Sequence, residues 1–347
     1  MDNLTHSLTG ALAAKLIETT FPALAEEPSE QRKKFWLLVG SANFPDIDVA
    51  LGLLGDPILA IQHHRGLTHS LLFAPIFALL PAMVFFILGK RKNFKTFWVY
   101  GLIGILVHIF FDLITPFGTQ LFTPLSTARF SLDLMFIIDP FFTGILGLTL
   151  LLGKIFKPPR RSFLFGGVFF AGLYLLLEVV NHHRAYQRIE AALQRDGIAA
   201  TKISALPQPL SIFSWMGLAQ TEDGVTQTFL SLLNDETALP LTKYNNANDE
   251  FVTQVWQAPE TQWYWTFARH PWIISERRGD RQVVEMQDLQ FSFDQRVLQT
   301  AGIPIPKRRP PFLLQYNIAV NGRSTEIVFN GKLVQPSELQ EPAASAP

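Results

Sequence analysis

The apolar positions of this chain follow two regimes. Through residue 183 they gather into long runs: Leu71–Gly89, Thr96–Phe111, Leu134–Gly153 and Ser162–Val180. Leu71–Gly89 is 19 consecutive residues without a charge. As a helix it would be about 28 Å long, close to the hydrocarbon thickness of a bilayer. The other three runs are interrupted only by His108, Asp139 and Glu178. Few soluble cores could cover four such runs so close together, so the pattern predicts four membrane spans.

Two earlier segments differ. Leu4–Leu24 carries Lys15 and Glu18 and predicts an amphipathic or bundle-buried helix, whereas Phe35–Phe44 is apolar but too short to cross alone. Met1-Asp2-Asn3 lacks the positive stretch that opens a signal peptide.

From Arg184 the periodicity changes. Arg184–Arg195 reads as a short amphipathic helix, followed by Pro207 and Pro209 and then by short alternating stretches. Strands are predicted at Phe251–Trp256, Trp263–Phe267, Gln282–Glu285, Leu289–Phe293, Phe312–Val320 and Thr325–Phe329, with Asn321-Gly322 as a hairpin turn. The expected fold is an α-helical membrane bundle of four spans plus two N-terminal helices (residues 1–183), then a soluble β-rich α+β domain (184–334). The Pro-, Ala-, Ser- and Glu-rich tail, 335–347, is expected to be disordered.

Composition sharpens this division. Of 30 Phe, 22 precede residue 184, whereas five of the seven Trp follow it, so the mean hydropathy of +0.19 averages two unlike halves. Lys+Arg and Asp+Glu both number 29, which argues against a strongly basic nucleic-acid binder. With no Cys, disulfides, thiolate metal sites and a Cys nucleophile are all excluded.

Basic residues orient the bundle. Arg32-Lys33-Lys34, Lys90-Arg91-Lys92 with Lys95, and Lys154, Lys157, Arg160 and Arg161 fall in three separate connections, which the positive-inside rule assigns to the cytoplasm. His63–Ser70, the loop Thr115–Asp133 and everything after His182 then lie on the extracytoplasmic side.

Ionisable residues at membrane depth are costly and mark function. His108 and Asp112 are spaced i, i+4 on one helix face, and can point at one metal ion. His64-Arg65-Gly66-Leu67-Thr68-His69-Ser70, the pair Asp46/Asp48 and the pair Asp2/His6 supply further ligand types, and the topology brings them to one membrane face. Neighbours on a helix diverge by about 100°; of His63 and His64, the second is preferred because with His69 it frames the Arg-containing motif. Each group also has a structural alternative: a hydrogen-bonded His-Asp pair, a turn or helix cap at Asp46/Asp48, a solvated N-terminal turn.

Four ordered motifs, D-x-x-T-H-S (Asp2 to Ser7), P-D-I-D (Pro45 to Asp48), H-R-G-L-T-H-S (His64 to Ser70) and H-x-x-x-D-x-x-T-P-x-G-T (His108 to Thr119), resemble the bacterial inner-membrane metal-dependent hydrolases of the YdjM-like, LexA-regulated group. The resemblance is strong over residues 1–150 and weaker beyond, and extends distantly to zinc-dependent phospholipase C and P1-type nucleases. It implies a multi-pass inner-membrane hydrolase with a divalent metal. The second His-x-x-x-Glu helix of the distant enzymes has no counterpart here, which argues for one or two ions rather than three.

His6, Asp46, His69, His108 and Asp112 form the expected ligand pool, with Asp48 and His64 as orienting residues or base and Arg65 facing a phosphate through its planar fork. Arg65 is equally well read as an interfacial anchor. Nitrogen and oxygen ligands without thiolate suit Zn²⁺, with Mn²⁺ or Fe²⁺ as alternatives. Such an ion acidifies water and polarises a P=O or C=O group. A site at the membrane surface suits a lipid or lipid-linked ester. The rival expectation is a non-enzymatic ion or proton transporter, or a metal sensor, using the same cluster. A third assigns the work to the C-terminal domain, where Trp256, Trp263, Trp265 and Trp272 could form a carbohydrate or peptide platform, core packing being the commoner fate.

Overall fold

The computed structural model describes residues 1–21, 28–54, 57–88, 93–156, 160–234, 238–296, 310–319 and 325–334. The Asn321-Gly322 turn, the basic run Lys90-Arg91-Lys92, Lys157 and the tail from Gln335 lie outside them. The chain divides into two compact units, one of residues 1–49, 63–184 and 206–213, the other of 50–62, 185–205 and 214–347.

The first unit is helical. α1 (Asn3–Thr20) starts at Asp2, whose carboxylate accepts from the amides of Leu4 and Thr5. α2 (Pro28–Ser41) contains Arg32, Lys33 and Lys34, so these cations lie on a helix and not in the expected loop; Lys34 is buried over the Tyr100 ring. A 3₁₀ segment, Phe44–Leu54, carries Asp46 and Asp48. Then come α3 (Pro57–His63), α4 (Ala74–Phe77), α5 (Leu79–Leu88), α6 (Phe94–Leu113), α7 (Pro140–Ile155) and α8 (Arg160–Arg195).

Among the described residues two helices, α6 and α8, are long and apolar enough to cross a membrane; a third span is reached if Ile61–His69 and Ala74–Leu88, bent by 83°, count as one. The expected run Leu71–Gly89 begins in the break between these two segments and is helical only from Ala74, in α4 and α5. Pro81 cannot donate to the Phe77 carbonyl, which breaks the helix at Ala78. At the other end, the Leu71 amide bonds the Leu121 carbonyl and Ser70 Oγ the Thr123 carbonyl, holding the chain out of helix. In the expected run Leu134–Gly153, helix begins only at Pro140. Asp139 caps it by accepting from the Phe142 amide, leaving 16 residues, about 24 Å. Arg184–Arg195 is no separate helix: α8 continues unbroken for 36 residues.

Polarity in this unit is inverted relative to a soluble protein. Leu80, Val84 and Leu88 on α5 and Phe169, Phe170 and Leu176 on α8 are exposed, whereas His6, His69, His108 and Asp112 have no accessible surface. Apolar outside and ionisable inside is the pattern expected of a bundle in lipid.

Two glycines permit the close approach that organises the interior. A Cβ on Gly104 of α6 would meet Ser41 Cβ at 2.6 Å and the Leu38 carbonyl oxygen at 2.9 Å; one on Gly10 of α1 would meet Ala42 Cβ at 2.9 Å. Both helices therefore press on the same last turn of α2.

The second unit holds two antiparallel sheets. The first orders β1 (Lys202–Pro207), β2 (Ser214–Gln220), β3 (Gly224–Ser231) and β4 (Thr242–Asn245); the second orders β5 (Pro271–Arg278), β6 (Arg281–Asp288), β7 (Leu314–Ala319), β8 (Thr325–Phe329) and β9 (Lys332–Val334). Gln282–Glu285 and Thr325–Phe329 are strands as expected, and Phe312–Val320 is one in its central part. Phe251–Trp256 and Trp263–Phe267 are instead helical, within α9 (Glu250–Trp256) and α10 (Pro259–Phe267). Asp249 caps α9 and Pro259 opens α10, while Thr261, Tyr264 and Phe267 are buried at helical spacing. Leu289–Phe293 begins as a 3₁₀ turn, Leu289–Phe291, capped by Asp288.

Gly104→Ala is expected to lower the thermal midpoint in detergent, at a cost of about 1–3 kcal/mol for the overpacked contact. Gly144→Ala on α7, whose added Cβ meets nothing within 4 Å, should leave it unchanged.

Candidate metal centre

The cluster forms where four elements meet. α6 supplies His108 and Asp112 from one face, and the 3₁₀ segment supplies Asp46 and Asp48. A short turn, Leu67–His69, supplies His69, and α1 supplies His6. Donor atoms of Asp46, His69, His108 and Asp112 all lie within 4.8 Å of one another.

Hydrogen bonds define the imidazoles. His108 Nδ1 lies 2.8 Å from the Ala42 carbonyl, which can only accept, so Nδ1 carries the proton. Thr68 Oγ1 donates its single proton to Asp48 Oδ2 at 2.9 Å and therefore accepts from His69 Nδ1 at 2.9 Å. Both rings thus have their outer nitrogens occupied as donors. Their Nε2 atoms face each other at 3.0 Å. Two lone pairs at that distance repel unless a proton or a metal cation sits between them.

The carboxylates bear on which it is. Asp46 Oδ1 is 3.6 Å from His69 Nε2 and 3.5 Å from His108 Nε2. Asp112 Oδ2 is 3.1 Å from His69 Nε2 and 2.9 Å from Arg65 Nε. Asp112 Oδ2 is a buried atom without a hydrogen-bond partner. Two carboxylates and two inward imidazole nitrogens form a donor set that suits a divalent cation.

The remaining predicted residues surround this core. His6 Nε2 contacts Asp112 Oδ1 at 3.2 Å and its ring stacks on His108 at 3.8 Å, so it reaches the centre through Asp112 and is not among the four mutually close donors. The Met1 backbone nitrogen also contacts Asp112. Asp48 accepts from the Arg65 amide and Thr68 through Oδ2 and meets His64 Nδ1 at 3.0 Å through Oδ1. His64 is half-buried and His63 exposed. Asp2 serves as the α1 cap.

Arg65 is neither an exposed phosphate fork nor an interfacial anchor. It is 4% exposed; Nη1 donates to Thr115 Oγ1 at 2.9 Å, and the guanidinium lies 5.0 Å from the Phe117 ring. It neutralises Asp112 inside the bundle.

Electrostatics outside the spans agree with ionised acids. Burial opposes ionisation of Asp46 and Asp48, but the rings of His108 and His69 around Asp46, and of His64 and His69 around Asp48, outweigh it and hold both carboxyls below the usual range.

Sequence reasoning missed four participants. Thr68 and Thr115 lie inside the quoted motifs, one residue from His69 and three from Asp112, and their hydroxyl spacing was the available signal. Ala42 acts through its carbonyl, which no residue type announces. Arg129 donates to the His64 carbonyl at 3.2 Å, and its guanidinium lies 5.6 Å from the centre of the Phe117 ring. Burial, with the nearby Arg65 charge, pushes its pKa down to about 10.

Against known proteins, the family described as YdjM inner membrane protein matches residues 1–185. The chain is 28% identical over 141 residues to the Bacillus subtilis (strain 168) protein described as uncharacterized protein YfhP, covering 41% of this chain and 42% of that one. The chain therefore spans less than half the length of that relative. No solved structure matches, so the distant likeness to phospholipase C and P1-type nucleases rests on the H-x-x-x-D spacing alone.

Asp48→Asn should destabilise the protein by about 1–3 kcal/mol, because one buried acceptor is replaced by a donor facing the Arg65 amide and Thr68. Because the folded carboxyl lies below its ordinary value near 4, wild type keeps this contribution at neutral pH and loses it as pH falls through and below that range. The gap in thermal midpoint between the two proteins should therefore stay constant from pH 7 to about pH 5 and begin to narrow only as pH falls through and below about 4.

Proposed function

The chain belongs to the YdjM inner membrane protein family, and from that premise we propose that it is a membrane-embedded, metal-dependent hydrolase of a phosphoester or other ester in a lipid or lipid-linked substrate. The observation that carries this reading is the pair of inward Nε2 atoms 3.0 Å apart, each ring tied by its other nitrogen to an outward acceptor. Outer contacts that set tautomer and orientation in this way are how proteins prepare histidines for a metal.

Asp46, His69, His108 and Asp112 would hold the ion, with Zn²⁺ the best match to the donor set and Mn²⁺ or Fe²⁺ as alternatives. Bound there, the ion supplies Lewis-acid polarisation and an acidified water near neutral pH. The protein supplies the rest. Asp48 holds the Nδ1–H of His64, leaving Nε2 of that ring as the proton acceptor beside the centre. Arg65 balances Asp112, and His6 braces both Asp112 and the His108 ring. The substrate approaches from the bilayer, since the exposed faces of α5, α7 and α8 are apolar; no nucleic acid is involved.

In this reading α7, with the spans already described, completes a four-span bundle. The charges at Lys95, Lys154 and Arg161 face the cytoplasm, and the C-terminal domain is extracytoplasmic. Reporter fusions after residues 92, 130 and 190 should report cytoplasm, outside and outside; a cytoplasmic signal at 190 would reverse the assignment.

Protein purified in detergent should carry a stoichiometric divalent metal and hydrolyse bis(p-nitrophenyl) phosphate or phospholipid in vesicles, with chelator abolishing turnover. His69→Ala/His108→Ala should lose the metal. His64→Ala should keep it while turnover falls by roughly 10²–10⁴. Metal without turnover would favour the ion-handling reading, and absence of metal from folded wild type would refute the proposal.

A further inference from the structure

The C-terminal unit contains a cleft that the metal centre does not use. Its volume is about 590 Å³, within the roughly 300–1,000 Å³ of small-molecule sites. One wall is the β2–β3 turn, with Glu222 and Asp223; another is the connection 245–248; α9 and α10 contribute Trp256 and Trp265.

These walls are built. The Asn246 amide donates to the Asp223 carbonyl at 2.7 Å, and Asn246 Oδ1 accepts from the Ile273 amide at 3.0 Å. The Ala247 amide then bonds the Ile273 carbonyl at 2.9 Å, so the connection is zipped to β5 from one side and pinned to the turn from the other. Trp256 and Trp265 meet edge to face, with centroids 4.9 Å apart at 66°, and both remain half-exposed along the cleft. That packing fixes the rings before any ligand arrives.

The four tryptophans of this unit's helices and β5 divide accordingly. Trp263 stacks on Phe267 at 5.3 Å and meets Phe329 at 6.0 Å, joining α10 to the second sheet. Trp272 donates to the Asn245 carbonyl at 3.0 Å and packs edge-on to Tyr244. Only Trp256 and Trp265 line the cleft.

We propose that this cleft binds an uncharged oligosaccharide. A pyranose presents an apolar C–H face beside a ring of hydroxyls, and the cleft sets held indole rings beside planar amide and carboxylate groups. The indoles offer large, rigid area at small entropic cost. Asn248, Gln257 and Asp223 provide paired donors and acceptors for vicinal hydroxyls or acetamido groups. The exposed Glu222 and Asp223 carboxylates disfavour an anionic ligand, which selects neutral sugars over acidic ones and over phosphate. The inference stands apart from the hydrolase reading, because its residues and its test involve no metal.

The test is titration of the full chain, in a detergent without a sugar headgroup, with chitotriose and maltotriose, followed by tryptophan fluorescence and calorimetry. Saturable binding is expected to at least one of them. Trp265→Ala should weaken it about tenfold or more, and Asn248→Ala, on the exposed rim, should weaken it without altering the fold. The metal-site variant His69→Ala/His108→Ala should bind the sugar as wild type does. No saturable binding of either sugar at millimolar concentration, or binding that survives Trp265→Ala in a folded protein, would overturn the proposal. So would a cleft that binds extended peptides instead.

Discussion

The hydrogen bond from His108 to the Ala42 carbonyl is the constraint from which the centre is built. A carbonyl accepts and never donates, so the bond selects one tautomer and turns the other ring nitrogen inward. It forms only because α1 and α6 lie close against the last turn of α2, and they do so through Gly10 and Gly104. Each glycine is one helical turn from a histidine of the cluster: Gly10 from His6, Gly104 from His108. The same spacing that stacks a histidine above a small residue therefore sets both the helix contact and the position of the ring.

Charge balance follows from that packing. Asp112 is fully buried on a helix long enough to cross a membrane, where an unpaired carboxylate would be strongly destabilising. Arg65 comes from the turn after α3 to meet it, with φ of 56°, a left-handed conformation that a non-glycine residue adopts only when its surroundings compel it. The Arg65 amide is held by Asp48 and its carbonyl accepts from Gln120 at 2.9 Å. A strained backbone position is thus stabilised from two sides, and it delivers the compensating charge to the place where Asp112 faces both imidazoles.

The four clustered residues were legible because they stand out against their background: His108 and Asp112 interrupt an apolar run at helical spacing, and His69 and Asp46 lie in short polar turns beside such runs. The outer contacts were less so. Thr68 and Thr115 resemble ordinary turn residues until the proton on each hydroxyl is assigned, and Ala42 contributes an atom common to every residue. Arg65 shows the limit in the other direction, since its residue type suggests a phosphate or an interface while its burial assigns it to Asp112. Span count suffered for a related reason: hydropathy measures the apolar content of Leu71–Gly89 but not the contacts of Ser70 and Leu71 with the 121–123 loop that hold the chain out of helix before Ala74.

In the C-terminal unit two strand expectations fall on helices. Phe251–Trp256 and Trp263–Phe267 are rich in aromatic and β-branched residues, which favour strands by propensity. Each is preceded by a stronger local instruction: Asp249 accepts from the amides of Phe251 and Val252, and Pro259 begins a helix whose buried positions recur every third residue. The Asp249 cap satisfies backbone donors of α9 that a strand would have to pair with a neighbour, and Pro259, with no side-chain cap before it, presets the first turn of α10, so in each case the helix start overrides side-chain preference. The consequence reaches beyond secondary structure. In a strand, Trp263 and Trp265 would lie on one face; in α10 they diverge, one packing against the second sheet and the other lining the cleft with Trp256.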